Sequence, residues 1–137
     1  MLAGLAALAR TMGMNLLIAG ARENRAVVLE LSGRRQAVVP LIAGQVVTTN
    51  FYQALDITGG VGSDRSATLA ARLRRTGSRT SPADLRQALV AVAFPGPASG
   101  LATIQSVVFL PNKLTAEVAI GNLPASAGRF FSVRMPR

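Results

Sequence analysis

Apolar and polar positions along the chain follow two different rhythms. A period near two runs from residue 14 to about 50 and returns after residue 100, whereas a period near 3.6 occupies the middle. Leu2, Leu5, Ala6 and Ala9 lie one helical face apart and predict a short amphipathic helix over residues 1–12, stopped at Gly13. "MNLLIAG" then predicts a strand buried on both sides. In "RAVVLELSG", Val27, Leu29 and Leu31 face one way and Ala26, Val28 and Glu30 the other. Ser32-Gly33-Arg34 turns that strand into "RQAVVP", completing a hairpin. Pro40 and Gly44 bracket a further turn before "QVVTTN", a fourth expected strand.

In the middle, "RSATLAARLRR" puts Leu69, Leu73 and small alanines on one stripe and the arginines on the other, behind Ser63 or Asp64 as N-cap. A second helix starts at "SPAD", with Ser81 as N-cap, Pro82 at the first helical position and Asp84 near the positive end of the helix dipole. Its core face is Leu85, Ala88, Leu89 and Val92, and "FPGP" ends it. "LATIQSVVFLP" and "KLTAEVAIG" predict a long hairpin turning at Pro111-Asn112, and "GRFFSVRM" a last strand after the loop "NLPASAG". Strands segregated from helices in this way predict an α+β fold, antiparallel sheet packed on helices. Without a repeat or a low-complexity linker, residues 1–137 read as a single domain.

Composition narrows the chemistry. Half of the residues are hydrophobic and 15% are charged, so the chain can bury a core, one built from Ala, Leu and Val with few aromatics. With no Cys and no His, the chain carries no thiolate nucleophile, no imidazole base and no Cys- or His-based metal site. Its six carboxylates, Glu23, Glu30, Asp56, Asp64, Asp84 and Glu117, show no spacing that pairs them for metal or acid/base work. A self-contained Ser-His-Asp or zinc site is therefore excluded. The net charge of +9 raises nucleic acid as a partner, but the basic residues are spread along the chain apart from Arg72, Arg74, Arg75 and Arg79. No basic and aromatic residues interleave as a stacking surface would require, so nucleic acid is the disfavoured partner. The apolar N-terminus has no positive charge before it and is broken by Arg10, which argues against a signal peptide or membrane span and for a soluble, cytoplasmic chain.

Candidate chemistry concentrates in "VVTTNFYQALDITGGVGSDRS", residues 46–66. Asn50, at the end of an expected strand, is either a turn former or an amide donor to an oxyanion. Arg65, in the first turn of a helix, is either a solvated charge or a site residue, and it stands at the end of the dipole that disfavours a cation. Gly59, Gly60 and Gly62 lack the Lys-Ser/Thr of a phosphate loop and read as permissive backbone.

The order "NLLIAG", "RAVVLELSGRRQAVVPLIAGQVVTTNFYQ", "SDRSATLAARL" and "TIQSVVFLPNKLTAEVAIGNLPASAGRFFSV" resembles the C-terminal half of the acyl-coenzyme A:isopenicillin N acyltransferase-like family. These are linear amide C–N hydrolases of the N-terminal nucleophile superfamily. The resemblance implies the C-terminal part of an αββα sandwich and catalytic roles for Asn50 and Arg65, with Thr49, Phe51 and Tyr52 on the substrate side. It implies a small-molecule amide or acyl donor as partner, with acyl-coenzyme A as donor in a complete enzyme, and no other cofactor. Three departures stand out. The family's Asn-His-Phe is Asn50-Phe51-Tyr52 here, and Asp64 precedes Arg65 where the family has Ser. The family's nucleophile is an N-terminal Cys, and this chain has none, so it is expected to be an incomplete, C-terminal portion that is inactive alone and needs a Cys-bearing N-terminal segment. The alternative from a different class is a non-catalytic basic binding module.

Overall fold

The computed structural model describes residues 11–20, 22–49, 51–57, 63–96, 98 and 100–134. Most of the helix expected over residues 1–12, the loop glycines Gly59, Gly60 and Gly62, and Asn50 itself lie outside the described residues. Among the described residues the fold is mixed α+β, with antiparallel sheets and two α-helices. The chain divides into two compact units, Met1–Ser66 and Ala67–Arg137.

In the first unit, β1 (Met14–Gly20), β2 (Arg25–Leu31) and β3 (Gln36–Val39) form one antiparallel sheet in the order β1-β2-β3. Pairing runs in register from Met14↔Leu31 to Gly20↔Arg25 and from Val28↔Val39 to Leu31↔Gln36. The β2–β3 turn is closed at Ser32: its N–H donates to the Arg35 carbonyl at 2.8 Å and its Oγ accepts from the Arg35 N–H at 3.0 Å. Because β2 is the central strand, it is the one buried on both faces, at Val28, Leu29, Glu30 and Leu31. The run "MNLLIAG" forms a strand, but as the sheet edge it leaves Leu17 56% exposed, against the expectation that it is buried on both sides.

The fourth expected strand is not formed. After an isolated bridge between Ile42 and Gln45, residues 46–49 pair with no strand. Side chains take the carbonyls that a ladder would have used, as the next subsection describes.

In the second unit, α1 (Ser63–Thr76), which begins at the end of the first unit, runs into a 3-10 turn at Gly77–Arg79, where Gly77 has a φ of +55°. Thr80 Oγ1 donates to the Gly77 carbonyl at 2.7 Å. The second helix, α2 (Pro82–Ala91), opens as its sequence demands. Ser81 Oγ accepts from the Asp84 N–H at 3.2 Å, and the Asp84 carboxylate accepts from the Ser81 N–H at 2.8 Å and from its hydroxyl at 2.7 Å. Of its expected core face, Ala88 and Val92 are buried and Leu85 and Leu89 half-buried. β4 (Pro95–Gly96) and β5 (Leu101–Ala102) form a small ladder, so the long hairpin begins only at Gln105. It consists of β6 (Gln105–Leu110) and β7 (Thr115–Ile120), joined by the turn Pro111–Lys113 with Leu114 in left-handed conformation. β8 (Phe131–Arg134) adds to β7.

The helix α2 packs on β6, and the buried side chains here are small: Ala88, Val92, Ser106, Val108, Ala119 and Ala125. An ion pair, Arg86 Nη1 to Glu117 Oε2 at 2.7 Å, ties α2 to β7. The Arg86 guanidinium also lies 5.8 Å from the centre of the Phe130 ring. Among the described residues, no helix is long and apolar enough to cross a membrane.

The capping box predicts its own pH dependence. The side-chain hydrogen bond from Ser81, followed by that from the Ser81 backbone, holds the Asp84 carboxyl below its ordinary value of 3.8. A lowered native pKa contributes stability above the unfolded value, and this is lost as pH falls through the native one. Acidification below 3.8 should therefore lower the protection of amides in the first turn of α2, measured as exchange relative to the intrinsic rate at each pH, and Asp84→Asn should remove that dependence. Ser81→Ala should cost about 1 kcal/mol in denaturant unfolding at neutral pH. Unchanged protection in the wild-type chain across that window would contradict the assignment.

Candidate functional site

The described residues nearest the predicted site are organised by two polar side chains that stand opposite one another on β1 and β2. Asn15 and Glu30 are direct cross-strand partners and so share one face of the sheet. Each is a polar residue in an apolar run, and each turns its hydrogen bonds on the segment from residue 49 to residue 55.

Glu30 is fully buried, at 0% exposure. Its Oε1 accepts the N–H of Gln53, and its Oε2 accepts those of Ala54 at 2.8 Å and Leu55 at 2.9 Å. No cation pairs with it among the described residues. Taking a carboxylate out of water is costly, and charge-assisted bonds to three successive amides offset that cost without a counter-ion. Leu55, the last residue of this nest, is itself buried.

Asn15 performs the complementary task on carbonyls. Its Nδ2 donates to the Thr49 carbonyl at 2.7 Å and to the Phe51 carbonyl at 2.9 Å. Two carbonyl acceptors settle the orientation of the amide, because a flipped Oδ1 would face them both without a proton. The remaining oxygen, Oδ1, is buried with no hydrogen-bond partner among the described residues. The backbone on either side of position 50 is thus held by one side chain. Gln53 Nε2 donates to the Val47 carbonyl at 2.5 Å, and the Tyr52 hydroxyl to the Leu31 carbonyl at 2.5 Å.

Beside this clamp lies an open recess of about 360 Å³ lined by Gly13, Met14, Asn15, Thr49 and Tyr52. A Cβ on Gly13 would collide with the Tyr52 hydroxyl, so only glycine lets that hydroxyl reach Leu31. Of the sequence-predicted residues, Thr49 and Tyr52 share the recess, and Phe51 is half-buried with its carbonyl tied to Asn15. Arg65 sits in the first turn of α1, half-buried with its Nη1 shielded from solvent, and is not among the residues lining the recess. Among the described residues, no three His, Cys, Asp or Glu side chains gather as metal ligands. Sequence reasoning missed Asn15 and Glu30, for which the available signal was a polar residue interrupting an apolar strand.

No protein-family model, no curated protein and no solved structure matches the chain. The functional reading therefore rests on the residues and their geometry.

The clamp makes a testable demand on stability. Glu30→Gln keeps the shape but leaves fewer acceptors facing three N–H donors, and should lower unfolding free energy by about 3 kcal/mol. Asn15→Ala should cost about 2 kcal/mol and speed hydrogen exchange between residues 51 and 55. Denaturant melts of the two variants and of an exposed control, Glu23→Gln, measure this. Losses no greater than the control's would show that the segment is held by something else.

Proposed function

We infer that this chain supplies the substrate-side and oxyanion groups of a linear amide hydrolase or acyltransferase, as the C-terminal portion of an αββα N-terminal nucleophile hydrolase. The Cys nucleophile of that enzyme is carried by another polypeptide segment. The observation that supports this reading is the double hold of Asn15 on the carbonyls of Thr49 and Phe51. A donor that stabilises a developing oxyanion works best when its backbone is held before the reaction begins. Thr49 and Phe51, the residues on either side of Asn50, have that support, and Thr49 and Tyr52 line a recess.

In the completed site, Asn50 donates its side-chain N–H to the oxyanion of the tetrahedral intermediate. Arg65 orients the acyl group or balances charge developing on it. The Tyr52 hydroxyl is committed to Leu31, so Tyr52 offers substrate the flank of its ring and not a hydrogen bond. The acyl donor is a small-molecule amide, or acyl-coenzyme A where the reaction is transfer to an amine. The reading takes this enzyme as cytoplasmic.

The test is complementation. The isolated chain should leave a chromogenic N-acyl amide intact, and mixing it with the Cys-bearing N-terminal segment of a full-length acyltransferase of this family should produce cleavage. Asn50→Ala should then lower kcat by about 10²- to 10³-fold with the complex still formed. Acyl-coenzyme A with an amine acceptor separates transfer from hydrolysis. Cleavage by the chain alone, or an Asn50→Ala complex of full activity, would overturn the assignment.

A further inference from the structure

Three arginines of the basic run in the middle of the sequence, Arg72, Arg74 and Arg75, stand together on the second unit. Thr68, Ala71, Arg72, Arg74 and Arg75 line an open recess of about 550 Å³ along α1. Residues three and four apart on a helix are surface neighbours, which brings Thr68, Arg72 and Arg75 onto one stripe, with Ala71 and Arg74 flanking it. No carboxylate lines this recess. Arg72 and Arg75 also line a second recess, of about 290 Å³, with Leu73, Thr76, Gln87 and Asp84. The Asp84 carboxylate there is bonded to Ser81, and among the described residues no ion pair joins it to an arginine.

Three guanidinium groups close together repel one another, and the arrangement is favourable when an anion lies among them. The guanidinium fork matches phosphate oxygens two at a time, and the Thr68 hydroxyl adds a neutral donor. The chain as a whole carries a net charge of +9, so its field draws polyanions toward this face. An anionic bilayer would require apolar side chains presented beside the arginines. The only apolar side chain lining the first recess is Ala71, Leu73 lines only the second and is half-buried, and Leu69 lines neither.

We propose that the Arg72, Arg74 and Arg75 face of α1 binds the phosphate backbone of nucleic acid. With no aromatic side chain lining either recess, binding is through phosphates and independent of base sequence.

The test is the salt dependence of binding to a fluorescently labelled 20-base-pair DNA duplex between about 50 and 200 mM salt. Each phosphate contact contributes about 0.9 to the slope of log K against log salt. The variant Arg72→Gln, Arg74→Gln, Arg75→Gln should therefore flatten that slope by about 2.7 and weaken binding at least tenfold at low salt. A charge-matched control, Arg22→Gln, Arg25→Gln, Arg34→Gln, removes three exposed arginines of the first unit and should keep the wild-type slope. Circular dichroism checks folding, and Arg75→Gln alone, with an expected slope change of about 0.9, replaces the triple variant if that variant unfolds. Equal losses in both triple variants, no duplex binding by the wild-type chain, or tighter binding to phosphatidylserine vesicles than to duplex would each overturn the proposal.

Discussion

The first unit depends on one buried carboxylate. Glu30 stands near the end of the central strand, flanked by Leu29 and Leu31, and among the described residues its charge is met only by backbone N–H groups at residues 53–55. Those three amides have no ladder to join, and without Glu30 they would be unsatisfied beside a buried Leu55. The interaction therefore satisfies both sides: the segment gives the carboxylate its donors, and the carboxylate gives the segment its conformation. Asn15, one strand away in register, extends the hold to the carbonyls of residues 49 and 51. The two side chains treat the segment as a strand of the sheet would, accepting its N–H groups and donating to its C=O groups. They do so from the sheet's face and not from its edge.

That exchange explains which parts of the fold were legible in the sequence. The hairpins at Ser32–Arg35 and at Pro111–Leu114 and the capping box at Ser81 and Asp84 are local, and each is encoded by residues within four positions of one another. The alternation in "RAVVLELSG" and "KLTAEVAIG" places their strands for the same reason. "QVVTTN" carries the composition of a strand equally well, and nothing in its own residues reveals that Asn15, 34 positions earlier, takes the Thr49 carbonyl and the Gln53 side chain the Val47 carbonyl. Local propensity was overridden by long-range hydrogen bonding. The burial of β1 was misjudged on related grounds. An apolar run shows that a strand is hydrophobic, but sheet order decides whether both of its faces are covered.

The candidate site shows the same limit. Thr49 and Tyr52 are singled out only by the family resemblance, and the recess they share with Asn15 places the two together. Asn15 could not be singled out, since a lone Asn in "MNLLIAG" reads equally well as an edge residue facing water. What distinguishes it is that both of its protons are used on the backbone around position 50. Gly13 belongs to the same arrangement: a side chain there would displace Tyr52 from Leu31 and alter the floor of the recess. A glycine in the sequence suggests only that a helix stops.

The scarcity of carboxylates connects this clamp to the charge of the whole molecule. Only six are present against fifteen basic residues. Glu30 is spent on backbone amides, Asp84 on its own cap and Glu117 on Arg86. These three duties hold together the loop, the second helix and the α2–β7 contact, so none of these carboxylates is available to neutralise arginines elsewhere. A chain that uses its acids inside its own framework leaves its surface cations to the solvent and to whatever anions approach. The helix α1 is where that consequence is greatest, because Arg72, Arg74 and Arg75 stand together there with no carboxylate lining the first recess. Its positive face follows from that shortage: every acid the fold uses as a fastener is one fewer to balance the surface.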